Sequence, residues 1–182
     1  MSRPSARIGI VALALAVAGC TPDRPAPPDR SFAGLPVTGS IASARRAGFN
    51  HCVDQDAVHV RCRRSEVTIF GQGPYQAAVD LRGSAGESGF HHVTVWHDDD
   101  PRALYRVPKT LVEQGWSFCF TGGDRGGDQA IFTRPDVPFF IFMDISYYGE
   151  RRIRIFPKGG EPQLSGPCKP GTLSLFGLDP PA

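Results

Sequence analysis

The chain reads as an α+β domain, mostly antiparallel sheet with two short helices, and three observations predict it. Apolar and polar residues alternate over short runs. A Gly-aromatic-x-x-Cys segment occurs twice, each time behind a short helical stretch. Four cysteines remain for pairing in the body of the chain. Period-two alternation marks half-buried strands, and strands that follow one another through short turns form antiparallel meanders. A helix followed by a meander, met twice, predicts one sheet with its helices on one side and an internal duplication of the helix-plus-meander unit.

The chain opens with Arg3 and Arg7, an apolar run from Ile8 to Val17, and the small residues Ala18 and Gly19. These are the three parts of a secretory signal, and the apolar run is shorter than the roughly 20 residues a membrane span requires. The run closes on Val17-Ala18-Gly19-Cys20, which resembles the lipobox of bacterial lipoproteins. The resemblance implies that residues 1–19 are a signal peptide. It also implies that Cys20 becomes the first mature residue and carries acyl chains, palmitate among them. Thr21 stands where lipoproteins retained in the inner membrane resemble one another in having Asp. An outer-membrane anchor with the domain in the periplasm is therefore the expectation. Residues 20–31 then form the lipidated cysteine and a Pro-rich tether. Ten residues in polyproline II geometry, at about 3.1 Å each, would hold the domain roughly 30 Å off the membrane.

The body, residues 32–156, is expected as a single domain whose copies cover about 36–82 and 104–156. In the first copy Ser40 is a suitable N-cap for a helix to Ala47. Strands are expected over Ala57–Arg63, Glu66–Phe70 and Tyr75–Leu81, with Ala77, Val79 and Leu81 inward and Gln76, Ala78 and Asp80 outward. In the second copy Pro108 suits the first turn of a helix over Lys109–Gln114. Strands follow over Gln129–Arg134, Pro138–Tyr147 and Arg152–Phe156, and His92–Trp96 bridges the copies. Gly48 and Gly115 stand where helices tend to stop. Two such units, each with a cysteine, resemble in architecture the secreted β-lactamase inhibitor protein and small outer-membrane assembly lipoproteins, a likeness of shape that supplies no site residue.

An even cysteine count in an exported chain predicts two disulfides. Cys52 and Cys62 flank a polar turn and face each other across an antiparallel pair, which leaves Cys119 with Cys168. The second bridge staples the Gly/Pro-rich tail, residues 157–182, to the body.

Removal of the signal leaves eighteen basic against eighteen acidic side chains, so nothing calls for nucleic acid. His51, Cys52, His59 and Cys62 are chemically sufficient for zinc, but adjacent strand residues point to opposite faces and the disulfide takes precedence. His91, His92 and His97 beside Asp98-Asp99-Asp100 read as a solvated strand end and helix cap. Gly122–Asp128 lacks the endings of phosphate and calcium loops and reads as a hairpin tip. Scattered strand acids such as Asp80 or Asp144 could form a carboxylate pair in space. No catalytic residue, metal ligand or cofactor is assigned.

Phe139-Phe140-Ile141-Phe142-Met143 is apolar on both strand faces. Phe139, Ile141 and Met143 should face the helices. Phe140, Phe142 and Tyr148 then form either a partner-binding patch or a surface covered by the tail segment Leu173–Phe176, and the tail is the preferred cover. The functional expectation is a lipid-anchored envelope protein acting as an interaction or structural module, with an envelope protein as partner. The alternative is an envelope enzyme or ligand-binding lipoprotein acting on cell-wall material.

Overall fold

The computed structural model describes residues 30–122, 128–145, 151–160, 162 and 168–178. They form a mostly antiparallel sheet with few helices. A small hairpin, β1 (Ser31–Phe32) and β2 (Leu35–Pro36), comes first, followed by helix α1 (Ile41–Arg46). Strands β3 (His51–Asp56), β4 (His59–Ile69), β5 (Gln72–Arg82) and β6 (Phe90–Trp96) then run as a meander. A 3-10 turn, Pro101–Arg106, leads into helix α2 (Val107–Glu113). The second meander is β7 (Ser117–Phe120), β8 (Gln129–Thr133), β9 (Phe139–Asp144) and β10 (Arg152–Pro157). The tail adds β11 (Lys169–Pro170) and a 3-10 turn, Leu173–Phe176.

The large sheet has the order β11-β7-β8-β9-β10-β6-β5-β4-β3. Each meander is sequential, and the two join last strand to last strand, with Thr94 opposite Arg154. Strand β6 therefore pairs with β5 on one side and β10 on the other.

Both helices end in the same way. Gly48 and Gly115 have φ of +88° and +82°, a left-handed conformation that costs glycine nothing. The amide of the next residue reaches back to the last turn, Phe49 to Ala44 and Trp116 to Leu111, while each glycine amide bonds to Arg45 or Val112. This Schellman closure turns the following aromatic inward, and Phe49 and Trp116 are both buried. An arginine from the neighbouring meander donates to each C-cap carbonyl, Arg64 to Ala47 at 2.9 Å and Arg134 to Gln114 at 3.3 Å. At its other end α1 is held by the expected Ser40, in a reciprocal capping box with Ser43.

One face of the sheet carries the main core. Ala44, Leu104, Val107 and Leu111 from the helical segments pack on Val60, Ala77, Val79, Val93, Val95, Phe132, Ile141, Met143, Ile153 and Ile155. Each fully buried Val, Leu, Ile, Phe or Met among them contributes about 1.5–3 kcal/mol. The opposite face holds a smaller cluster of Ile131, Phe142 and Phe156 with Phe140, Cys119 and Cys168 at its margin, and among the described residues no helical one joins it.

Several expectations are corrected in detail. Ala57–Arg63 and Glu66–Phe70 are one strand, β4, interrupted by a register shift between Arg64 and Val67, where Glu66 has φ of +57°. The Cys52–Cys62 hairpin turns at Ala57-Val58, so Val53–Asp56 belongs to β3. Residues 31–36, from the last tether position into the body, pair as a hairpin absent from the expected strands, because Phe32 and Leu35 find cover in the core. Ala78 and Asp80, expected outward, are buried on the second face.

Candidate functional site

The second face of the sheet is polar at its centre. Arg61 and Arg63 on β4, Asp80 on β5, His92, Thr94 and Trp96 on β6, Arg152 and Arg154 on β10, Asp144 on β9 and Gln129 on β8 occupy alternate positions. Their alternation with core residues such as Cys62, Val79, Val93, Val95 and Ile153 sets them on the face away from the helices.

Two aspartates organise this row. Asp80, only 5 % exposed, accepts from Arg61 Nε at 2.7 Å and Nη2 at 3.1 Å, a bidentate pair directly across β4–β5. On its other side, across β5–β6, His92 Nε2 lies 3.1 Å from Asp80 Oδ2. Burial lowers the His92 pKa to about 4, outweighing the upward pull of Asp80, so at neutral pH the ring is neutral and donates its Nε2 proton. The ring stacks on Phe156 at 4.8 Å. Asp144 accepts from Gln129 Nε2 at 3.1 Å and Arg154 Nη2 at 2.7 Å, and Arg152 Nε stands 3.2 Å away. The aspartates are thus held in separate networks with different partners rather than as a carboxylate pair. Each lies on the third strand of its meander, opposite a polar residue of the second strand.

Between the networks Arg61, Arg63, Thr94, Trp96, Asp98 and Arg152 line a depression of about 250 Å³. Arg63 lies with its guanidinium 6.0 Å from the centre of the Trp96 ring, and Trp96 Nε1 donates to Asp98 at 2.8 Å. Thr94, 5 % exposed, forms part of the lining, and its hydroxyl has no hydrogen-bond partner among the described residues.

The other singled-out residues fall elsewhere. Cys52–Cys62 and Cys119–Cys168 are disulfides, with Cα separations of 3.9 and 5.5 Å. His59 pairs with Asp56 at 2.9 Å. His97 Nδ1 accepts from the Asp99 and Asp100 amides, and Asp100 caps the 3-10 turn. Together with Gln72, Tyr75 and Arg106, His97 and Asp100 border a separate polar cleft of about 350 Å³, where Tyr75 donates to the Ala103 carbonyl. The signal segment with Cys20, the core of the Gly122–Asp128 loop and Tyr148 lie outside the described residues.

On the aromatic strand Phe142 is 2 % exposed, packed with Ile131 and Phe156, and Phe140 is half-buried at the margin of that cluster with Lys158 Nζ 5.7 Å from its ring centre. The expected cover is corrected. Phe176 packs on the helix side against Tyr105, Phe118, Phe120 and Phe132. The physical reason lies in β11: pairing with β7 carries the chain over the sheet edge, while Cys168 stays on the Phe142 side with Cys119. Sequence reading passed over the arginine row, although its signal was present. Arg61/Arg63 and Arg152/Arg154 are i,i+2 pairs, so each pair shares a strand face.

Comparison with known protein families, curated proteins and solved structures finds no match to the chain.

Proposed function

We propose that the chain is an exported, lipid-anchored envelope protein that works by binding, with the arginine-rich sheet face as its recognition surface. The observation that carries this reading is the polar row itself. Four arginines, two buried aspartates and a half-exposed tryptophan converge on a face to which, among the described residues, no helical one contributes core packing. Buried ion pairs are a costly way to gain stability, so a preorganised row is better understood as holding guanidinium groups in place for a ligand. The convergence of charged groups favours a ligand-binding role over docking through a flat aromatic patch, since Phe142 is buried. An enzyme acting on cell-wall material is the remaining alternative.

The lipobox at Cys20 supports an outer-membrane anchor facing the periplasm, and the two disulfides suit an oxidising compartment. The body is read as an α+β domain formed by duplication of one helix-plus-meander unit. The shared Schellman closures, the arginines on both C-cap carbonyls and the strand order support that origin. In membranes, Cys20→Ser should release the protein to the soluble periplasmic fraction with the acyl mass missing. Unchanged fractionation together with unchanged mature mass would remove the anchor from the proposal.

A further inference from the structure

We propose that the depression lined by Arg61, Arg63, Thr94, Trp96 and Arg152 binds an oxyanion, the phosphate or carboxylate group of a ligand. The inference rests on the binding role proposed above and names the chemistry the site would recognise.

The donors are present and aimed by the fold. Arg61 gives two N–H groups to Asp80, which leaves three of the five that a guanidinium carries. Arg152 meets Asp144 through Nε, so its two terminal nitrogens are not engaged by that contact. Arg63 has no carboxylate partner among the described residues and rests against Trp96. Guanidinium groups match planar carboxylate and tetrahedral phosphate oxygens with paired donors. The carboxylate behind Arg61 fixes that side chain before a ligand arrives, so little of its rotamer freedom is lost on binding. Thr94 forms part of the lining with a buried hydroxyl that has no partner, and such a group is rare enough to need an explanation. A bound oxyanion would give it one. At about 250 Å³ the space suits a small anionic group with a few attached atoms. Asp98, held by Trp96 Nε1, is the negative member of the lining and weakens the hold on a bare anion.

The test uses the full chain in detergent, titrated with inorganic phosphate and with acetate against chloride at constant ionic strength. The readout is Trp96 emission, with Trp116, buried on the helix side, as a constant background. Saturable change with either anion is expected. Arg63→Gln should weaken it about tenfold and Thr94→Val several-fold, whereas Asp98→Asn should tighten it. Arg63 is exposed and makes no ion pair, so Arg63→Gln should keep the parent melting temperature. Tighter phosphate than acetate assigns a phosphorylated ligand, and the reverse order a carboxylate one. Absence of saturation with both anions, or saturation unaffected by Arg63→Gln and Thr94→Val, overturns the proposal. If anion binding fails while ligand capture on this face succeeds, the oxyanion site alone falls. If anions bind and the face captures nothing, the wider binding role falls.

Discussion

Phe176 is predicted to be the residue that fastens the tail to the helix side of the sheet, and Phe176→Ala tests the placement. Its ring is 5 % exposed and lies 5.6 Å from Tyr105, 5.9 Å from Phe118, 6.1 Å from Phe120 and 6.2 Å from Phe132. Truncating a buried phenylalanine costs about 3–5 kcal/mol when the surroundings cannot collapse. Here three of the four neighbouring rings stand on paired strands, which resist collapse, while the tail can undock locally and limit the loss. The expected cost is therefore about 3 kcal/mol, which lowers the melting temperature by about 6–12 °C for a domain of this size. Phe140→Ala, at a half-buried position under Lys158, should cost about 1 kcal/mol. Urea unfolding followed by circular dichroism measures both. Truncation before Lys169 should increase binding of a hydrophobic dye, and a Phe120→Ser change in the truncated chain should reduce it again, because the exposed rings are those of the helix side. The placement is refuted if Phe176→Ala costs less than about 1 kcal/mol while Phe140→Ala costs more.

Acid should destabilise the fold through His92. Its folded pKa is lowered from 6.5 to about 4, so the unfolded chain gains a proton that the folded one refuses. The resulting stability is intact above about pH 6.5 and lost between there and about pH 4, on the order of 3 kcal/mol in all. His92→Gln should flatten this part of the pH profile measured by denaturant midpoints. The disulfides differ in loop length, with sequence separations of 10 and 49, so the chain-entropy relation gives losses of about 3 kcal/mol for Cys52/Cys62→Ala and about 4 kcal/mol for Cys119/Cys168→Ala. Equal midpoints for the two double variants would contradict that ordering.

Much of the sheet was legible because alternation is local. Ala77, Val79 and Leu81 on one face, and Ser40 and Gly48 at the ends of α1, follow from backbone periodicity and capping chemistry alone. The N-terminal hairpin was hidden, since Ser31–Pro36 follows a Pro-rich run and so short a strand pair is held by tertiary burial of Phe32 and Leu35. The tail was assigned to the wrong side because a disulfide fixes where Cys168 sits but not which way the chain continues after it. The arginine row is spread from Arg61 to Arg154, and each arginine alone looked like a solvated strand position. What joins the row is the pairing of β6 with β10, a long-range contact that local patterns do not encode.

Recognition through the arginine-rich sheet face is decided by site-resolved photo-crosslinking of the full chain in the cells that make it. A photoreactive residue at position 98, exposed in the lining of the depression, is compared with one at position 45, exposed on α1 on the opposite side of the sheet. The prediction is a discrete adduct from position 98 that Arg61→Glu and Arg152→Glu abolish, with none from position 45. Adducts from position 45 alone, or adducts from position 98 that persist in both charge-reversed variants, would contradict it.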